Sequence, residues 1–451
     1  MILRLLLGVL VVYMVYEARL AIDTGITGLN LANLLMLATV VMMMLHHDPD
    51  PPPSPARLRT PLLLWFLALG LGLVIAMTRA PGNTMDDITY LKTAIFSPLL
   101  YFVMLRSRLE FRHVRLLIIL TLVVAVVGGV QAIRQALDFG ITHFQETHRS
   151  TGPFGPEISA ANRAGVYFAM YLPMFLALAL FLRGQRAWRS AAVFGVVVLG
   201  LGILFTYSRQ SYFIALVAVA VLSLRRNIVF AAILSGVLIF LGGYLPSSVE
   251  QRVDKTEQRG PHGGEQFDVS TVSRWEIWAG AMEMWERHPA GVGLHRFPDE
   301  IGKYSKWKHM DAHNFYVLTL AEAGLQGLVA LLWLLFALFR LAGHLRRSAP
   351  QDNAEARALA LGFTVATLCM ALGNLYGSPF LEGRVMGSYW MLCGLLERYM
   401  HLLRGTAVAG AAAATETEAA EPAHAIAPAR FPLAERTLPG RVWLRRDPGH
   451  E

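Results

Sequence analysis

The chain has 451 residues, of which 55% are hydrophobic and 16% are charged, and its mean hydropathy is +0.45. This balance excludes a water-soluble globular protein and predicts an integral membrane protein. The net charge of +8 would suggest a nucleic-acid partner in a soluble protein. Here the cations lie in loops between apolar segments, so no nucleic acid is expected to bind.

Apolar segments of about the length needed to cross a bilayer follow one another along the chain. They predict an all-α protein with about twelve transmembrane helices, near residues 1–16, 28–46, 61–77, 88–105, 115–133, 164–182, 190–206, 208–224, 228–244, 313–339, 357–375 and 385–403. The first segment lacks a clear signal-peptidase site, which favours an uncleaved span. The fourth contains Lys92 and Pro98, so a re-entrant or surface-lying segment is its alternative.

The short loops on alternate sides of the predicted membrane differ in charge. If the N-terminus is cytoplasmic, the cytoplasmic loops carry Arg57, Arg59, Arg106, Arg108, Arg112, Arg115, Arg183, Arg186, Arg189, Arg225, Arg226, Arg340, Arg346 and Arg347. The positive-inside rule therefore predicts that both termini are cytoplasmic. The long loop, about 245–312, then lies outside the cytoplasm. Residues 1–404 form the predicted membrane domain, and 405–451, rich in Ala, Pro, Glu and Thr, a disordered cytoplasmic tail.

Two short loops on the predicted outer face contain arginines. Residues 148–156 hold two prolines and two glycines, which force a non-helical entry to the membrane. Their freed backbone amides, with Arg149 and Arg163 nearby, suit a phosphate, although an interfacial turn with snorkelling arginines is the alternative. Arg209 lies between two spans in an apolar context, where an arginine usually marks a substrate or ion path.

Four large apolar residues of the long loop recur at helical spacing: Trp275, Trp278, Met282 and Trp285. They predict an amphipathic helix over about 271–287 that lies on the bilayer surface. Arg274 is four residues before Trp278, so the two side chains share a helix face that a lipid head group can reach, although anchoring is the alternative role. After this helix, Gly291–Gly293 predicts a flexible turn.

His313 stands where the long loop re-enters the membrane. A lone histidine at a helix start is commonly an interfacial side chain or a capping contact. Close to the outer-face arginines, however, a histidine of near-neutral pKa suits a general base beside an anionic leaving group. Glu322 is on the opposite helix face and deeper, so it is predicted to be a buried polar contact near Gly324 and Gly327 and not a partner of His313.

The order of these pieces resembles the bacterial O-antigen ligase and O-antigen polymerase superfamily. The matching pieces are Arg149 with Thr151–Pro153 and Asn162, Tyr207–Arg209, Arg274 with Trp278, His288–Gly293, and His313–Asn314 with Glu322–Gly327. The resemblance covers the chain to about residue 400. One departure is an insertion of residues 155–161 before Asn162, which changes the local register at Arg163.

The resemblance implies a multispan, metal-free inverting glycosyltransferase of the bacterial inner membrane, with its active site on the periplasmic face. Its donor would be a polyprenyl-diphosphate-linked glycan and its acceptor a lipid or a glycan. Membrane lipids would surround the protein, and the reaction would need no cofactor. His313 would be the catalytic base, and Arg149, Arg209 and Arg274 would bind the diphosphate. The supporting residues would be Asn162, Arg163, Trp278 and Asn314.

Several alternatives remain at this point. The same chemistry serves a repeat-unit polymerase or a protein O-glycan ligase. A metal-dependent glycosyltransferase would need acidic ligands, for which the predicted outer loops offer Asp23, Asp86 and Asp87. A transporter would also have many spans, but the single long loop and the lack of visible repeats argue against it. The two cysteines, Cys369 and Cys393, lie in predicted spans, so a disulfide framework is not expected.

Overall fold

A computed structural model of the chain describes residues 1–20, 30–45, 54–79, 84–142, 144–254, 257–259, 265–267 and 269–420. Its longer helices are α1 Ile2–Leu20, α2 Leu31–Leu45, α3 Arg59–Arg79, α4 Thr84–Arg106, α5 Phe111–Phe139, α6 Ala160–Phe181, α7 Arg186–Phe205, α8 Arg209–Arg226 and α9 Ile228–Gly242. The long loop contains α10 Ser247–Asp254, strands β1 Glu257–Arg259 and β2 Glu265–Phe267, α11 Val269–Arg287, α12 Phe297–Glu300 and a 3-10 turn, Ile301–Lys303. The chain continues as α13 Phe315–Ser348, α14 Ala354–Gly373, a 3-10 turn Pro379–Leu381, and α15 Gly383–Ala420.

A multi-pass, helical membrane protein is therefore confirmed. Each of the twelve predicted segments coincides with one helix. In the part of the chain that the structure describes, seven helices are long and apolar enough to cross a membrane: α3, α4, α5, α6, α7, α13 and α14. Since α2 and α9 are shorter apolar helices, the count of twelve crossings stays a prediction. α4 is one unbroken helix with Pro98 in its interior.

Successive helices run in opposite directions, which brings alternate loops to the same end of the bundle. At one end, the loop before α6 meets the turn between α7 and α8, where Arg149 Nε donates to the Thr206 carbonyl at 2.9 Å. At the same end, α13 begins against the end of α14, and the Phe315 amide donates to the Asn374 carbonyl at 2.9 Å. We call this the His313 end.

The opposite end holds most of the arginines of the short loops. Arg115 at the start of α5 forms two hydrogen bonds, of 2.6 and 2.7 Å, with Glu355 at the start of α14. Arg226 at the end of α8 donates to the Leu180 carbonyl near the end of α6. The helix order therefore places the loops predicted to be cytoplasmic at one end of the bundle. The orientation itself stays a prediction.

The core is centred on α6, a helix that is buried on nearly all sides and packs against α7, α8 and α14. Small residues let these helices approach closely. A Cβ at Gly195 of α7 would meet the Phe175 ring, and one at Gly362 of α14 would meet the backbone at Met174. Both cysteines are free and buried in this core region, at positions 369 and 393.

The span predicted over 313–339 is longer than expected and broken. α13 extends to Ser348, and Gly324 interrupts it with non-helical angles of φ 67° and ψ −169°. At the break, residues 288–297, which we call the strap, run between α3 and α13. The Val292 amide donates to the Ala321 carbonyl and the Leu294 amide to the Gly72 carbonyl, both at 2.9 Å. The predicted flexible turn is therefore an ordered segment that bridges two helices.

The helix predicted over 271–287 is present as α11. Ile277, Ala281 and Met284 form a buried face that the prediction did not include, whereas Trp275 and Met282 are 49% and 39% exposed. Trp278 is half-buried, and α11 packs against α13. Its position on the bilayer surface stays a prediction.

The chain divides into two units, Met1–Arg404 and Gly405–Glu451. The first unit has the bounds of the predicted membrane domain. Helix α15 continues past its end to Ala420. The predicted disorder of the tail after residue 420 concerns residues outside the described part of the chain.

Candidate active site

His313 occupies a strained position immediately before α13. Its φ of +49° lies in the left-handed region, which costs a residue with a side chain roughly 1–2 kcal/mol. Asn314 follows it and caps the helix, because its Oδ1 accepts from the amides of Tyr316 and Val317 at 3.0 and 3.2 Å. The capping role that histidine might have played therefore falls to Asn314, and the His313 ring is left for other contacts.

The backbone on both sides of His313 is fixed by neighbouring elements. Trp278 of α11 donates from Nε1 to the Ala312 carbonyl at 2.8 Å. The Phe315 amide donates to the carbonyls of Asn374 and Gly377, at 2.9 and 3.1 Å. These contacts hold the left-handed residue in place, as strained backbone at functional sites requires.

The partly buried setting of His313 favours its neutral form. Its Nδ1 lies 3.6 Å from Asp311 Oδ2, and its side chain is half-buried. Burial lowers the pKa of His313 below its ordinary value; Asp311 opposes this shift and the guanidinium of Arg274 adds to it. A neutral imidazole at pH 7 can accept a proton, which is what a general base must do.

A short loop after α14, residues 373–378, joins the pieces of the site, and we call it the Asn374 loop. The buried Asn374 shapes it by donating from Nδ2 to the Met370 carbonyl at 2.8 Å and accepting from the Phe380 amide at 3.1 Å. The Tyr376 ring lies 6.0 Å from the Arg274 guanidinium carbon and 5.9 Å from the Trp278 ring. The Asn374 loop therefore contacts Arg274 and Trp278 on one side and the start of α13, beside His313, on the other.

Sequence reasoning missed the Asn374 loop. It has no charged residue. The available signal was its composition, since Asn374, Gly377 and the following Pro379, between two apolar segments, indicate a defined turn.

Arg209 begins α8 beside the same loop. The next residue, Gln210, donates from Nε2 to the carbonyl of Gly373. Tyr207, which precedes α8, has a left-handed φ of +50°, and its hydroxyl donates to Ser248 Oγ at 2.9 Å. The segments that carry His313, Arg274 and Arg209 therefore all contact the Asn374 loop.

Arg149 lies deeper than the other predicted arginines. It is buried, and its three guanidinium nitrogens donate to Thr206 O at 2.9 Å, Glu146 Oε1 at 3.0 Å and Asn162 Oδ1 at 2.6 Å. These bonds tie the loop before α6 to the turn from which α8 and Arg209 start. Arg149 and Asn162 are thus joined to each other, as the motif order suggested, and are linked to the site through that turn.

Two amides that were expected to suit a phosphate are already used. The amides of Thr151 and Gly152 both donate to Gln135 Oε1, at 3.0 and 2.8 Å. The Gly152 carbonyl accepts from Arg19 Nη2 at 2.9 Å. The prediction that these amides cradle a phosphate is therefore wrong, because the buried loop satisfies them internally.

Arg163 is engaged in two ion pairs. It lies 3.0 Å from Glu157 and 2.9 Å from Glu382, the residue directly before α15. Since the insertion of 155–161 supplies Glu157, the changed register creates one of these pairs. Arg163 therefore fastens the start of α6 to the segment that follows the Asn374 loop.

The strap is fixed by two buried acids. Glu322, in α13, accepts from the Phe297 amide at 3.1 Å, so its predicted role as a buried polar contact is confirmed. Asp87, in α4, forms two hydrogen bonds with Arg296, of 2.6 and 2.5 Å, and both side chains are buried. Sequence reasoning missed this pair, because its partners are 209 positions apart.

The structure gives no support to a metal site at the predicted acidic residues. Among the described residues, no group of three or more His, Cys, Asp or Glu side chains is arranged to hold a metal ion. Asp87 is occupied by Arg296, and Asp23 lies outside the described residues.

No curated protein matches the chain. Residues 194–332 match the sequence model of the family described as O-antigen ligase. This range contains Arg209, Arg274, Trp278 and His313, which the structure gathers around one loop, and it excludes Arg149. Over residues 194–332, about a third of its length, the chain is therefore similar to the O-antigen ligase family.

Proposed function

We propose that this protein is a metal-free inverting glycosyltransferase that moves a glycan from a polyprenyl-diphosphate carrier to an acceptor hydroxyl. The match of residues 194–332 to the O-antigen ligase family supports an enzyme of the glycan ligase or polymerase type. The observation that supports the finer proposal is the setting of His313. It is neutral, half-exposed and fixed in a strained backbone, and Arg274 stands beside it.

In this mechanism His313 is the general base. It takes the proton from the acceptor hydroxyl while the oxygen attacks the anomeric carbon of the donor sugar. A bond forms between that oxygen and the anomeric carbon, and the bond from the anomeric carbon to the diphosphate oxygen breaks. Attack from the face opposite the leaving group inverts the anomeric configuration, and the polyprenyl diphosphate leaves as an anion.

The leaving group needs fixed positive charge more than it needs a proton. Arg209 and Arg274 supply this charge without a metal ion, since a guanidinium is always protonated and matches phosphate geometry. Arg149 is the third predicted diphosphate ligand. Its bonds to Thr206 and Asn162 suggest a second role, which is to hold the turn that presents Arg209.

From the charge pattern and the long loop we infer that this reaction takes place on the periplasmic face of a bacterial inner membrane. The acceptor would be a lipid or a glycan, and no cofactor takes part. A repeat-unit polymerase or a protein O-glycan ligase would use the same residues, so the identity of the product separates these uses. A transporter is the more distant alternative.

The decisive experiment measures glycan transfer by the purified full-length protein in liposomes, with a polyprenyl-diphosphate-linked oligosaccharide as donor. His313→Ala should lower turnover by about a hundred- to ten-thousandfold, with a much smaller effect on donor binding. Arg209→Ala should weaken both, and a chelator should have no effect. His309→Ala is the matched control, because His309 is also left-handed and lies 3.7 Å from an aspartate, Asp299, in the same loop.

Normal turnover in a correctly inserted His313→Ala protein would refute the proposal that His313 is the general base. Loss of transfer in the presence of a chelator would favour the alternative of a metal-dependent glycosyltransferase. If the wild-type protein transfers no glycan from such a donor, the transporter alternative becomes the leading one.

A further inference from the structure

A polar stripe on α4 has no role in the site described above. Thr89, Lys92 and Thr93 lie at positions i, i+3 and i+4 of the helix and therefore share one face, which Phe96 continues at i+7. Thr89 and Thr93 are exposed in the bundle, although α4 is one of the helices apolar enough to cross a membrane. The Thr93 hydroxyl donates to the Thr89 carbonyl of the same helix at 2.9 Å. A stripe of hydroxyl and ammonium groups on such a helix nevertheless indicates a polar surface beside it, because these groups are costly in lipid hydrocarbon.

The stripe faces a cavity of about 290 Å³ between α1, α2, α4 and the start of α15. The opposite wall carries Glu17, Asn30 and Asn33. Glu17 is held on two sides, since its Oε1 accepts from Asn30 Nδ2 at 3.3 Å and its Oε2 lies 3.4 Å from Arg384 Nε. The wall is therefore organised by its own hydrogen bonds.

The cavity lies near the His313 end of the bundle. Lys92 is eight residues beyond the start of α4, or about 12 Å along the helix axis at 1.5 Å per residue. Glu17 is within the last turn of α1, and Gly383 begins α15. The opening is thus on the same side as the Asn374 loop.

The side chains that line the cavity indicate the kind of ligand that it can bind. Two amides, two hydroxyls, an ammonium and a carboxylate offer donors and acceptors together, and Met14 and Phe96 add apolar surface. Glu17 is paired with Arg384 and lies opposite Lys92, so the walls carry groups of both signs, which suit a ligand that both donates and accepts hydrogen bonds. A neutral, polyhydroxylated ring satisfies both the donors and the acceptors. The volume corresponds to about ten water molecules at roughly 30 Å³ each, which is room for a single sugar ring.

We propose that this cavity is a sugar-binding subsite that holds one ring of the glycan while its reacting end lies at His313. The inference rests on the proposed function, which supplies the glycan. Tyr376 of the Asn374 loop and Gly383 at the cavity are seven residues apart, so their Cα atoms are separated by about 25 Å at most. An oligosaccharide of several sugars spans such a distance.

The test uses the full-length protein in nanodiscs and the double variant Thr89→Val/Thr93→Val, which removes both hydroxyls at nearly constant shape. Thr78→Val is the matched control, because Thr78 lies in α3 and its hydroxyl donates to its own helix backbone. Donors carrying one sugar and five sugars are compared. The double variant should raise KM for the five-sugar donor by about tenfold, with a smaller change in kcat, and the one-sugar donor should be affected less.

Two further arms identify the source of the sugar and separate the proposals. Donor and acceptor are varied in turn at saturating concentration of the other, and the KM that rises shows whose glycan is held. Binding of the free five-sugar glycan, without lipid or diphosphate, is measured by native mass spectrometry, so the subsite is tested even if no transfer occurs.

Equal KM and equal glycan binding in the double variant and the wild type would overturn the subsite. A phospholipid that the wild type retains and the double variant loses, with unchanged KM, would also overturn it and would assign the cavity to a lipid head group. Absence of transfer by the wild type, with free-glycan binding that the double variant loses, would refute the proposed function and support the subsite.

Discussion

His313 and Tyr207 show the same unusual backbone, with φ of +49° and +50°. Each stands two residues before a helix, α13 or α8, at the His313 end. A left-handed residue turns the chain sharply, so the following helix can start against the Asn374 loop. Residues with a side chain seldom take this conformation, and no local sequence pattern predicts it at these two positions. The strained backbone becomes apparent only in the tertiary structure, together with the residues that hold it in place.

The pH dependence of the reaction should report the pKa of His313. Because burial lowers that pKa below the ordinary value of about 6.5, activity should rise with pH along an acid limb centred below that value and be level at neutral pH. Asp311 stabilises the protonated ring, so Asp311→Asn should lower the pKa further and shift the limb to lower pH. The measurement is kcat/KM against pH in the liposome assay.

Asp299→Asn is the control for this shift, because Asp299 lies near His309 and not near His313. An acid limb that moves to higher pH in Asp311→Asn, or that moves equally in both variants, would contradict the assignment.

At the scale of elements, the strap explains why α13 can be broken inside the bundle. A helix break leaves backbone groups without their helical partners, and such groups must be satisfied in an apolar setting. The strap supplies partners: the Val292 and Gly293 amides donate to the carbonyls of Ala321 and Glu322. Gln326 in turn donates to the Ala290 carbonyl at 2.8 Å. The break and the strap therefore depend on each other.

The close approach of strap and helix should make Gly291 sensitive to substitution. A Cβ at Gly291 would meet the backbone at Glu322 and Gly324. Gly291→Ala should lower the free energy of unfolding by about 2–3 kcal/mol more than a glycine change that only strains φ. Gly184→Ala is that comparison, since Gly184 also has a positive φ and nothing within 4 Å.

Thermal stability of the two variants in detergent, followed by size-exclusion chromatography, measures this difference. Equal losses of stability would show that backbone strain alone matters and that the strap has room to move.

The pair of Asp87 and Arg296 should be the strongest single tie between the strap and α4. Asp87→Asn leaves a buried guanidinium without its counter-ion, which typically costs about 3–5 kcal/mol. Glu300→Gln serves as the control, because Glu300 pairs with the exposed Lys303 and such pairs contribute at most about 1 kcal/mol. Chemical denaturation of both variants gives the comparison. A loss in Asp87→Asn no larger than in the control would contradict a structural role for the pair.

At the scale of the whole molecule, the alternation of helix directions agrees with the charge pattern of the loops. The cation-rich loops meet at one end, and His313 with its arginines lies at the other. If the positive-inside rule holds, the donor is met outside the cytoplasm. This separation is testable without any knowledge of the glycan.

Thiol labelling in cells measures the orientation. Both native cysteines are buried and give little background. Lys308→Cys, in the long loop, should react with a membrane-impermeant maleimide when only the outer membrane is permeabilised. Arg183→Cys, between α6 and α7, should react only after the inner membrane is broken. Labelling of Arg183→Cys in intact inner membranes would invert the predicted topology.

The sequence by itself determined the positions of the helices, because a membrane helix satisfies its backbone locally and needs only an apolar run of sufficient length. It also indicated a similarity to O-antigen ligases and singled out His313, Arg209 and Arg274, since these are matters of residue type and order. Only the tertiary structure decided that these residues meet at the Asn374 loop, that Arg149 is buried among protein partners, and that α13 breaks at Gly324. Those features depend on contacts between residues distant in the chain, and no local pattern records which distant segment will satisfy a given polar group.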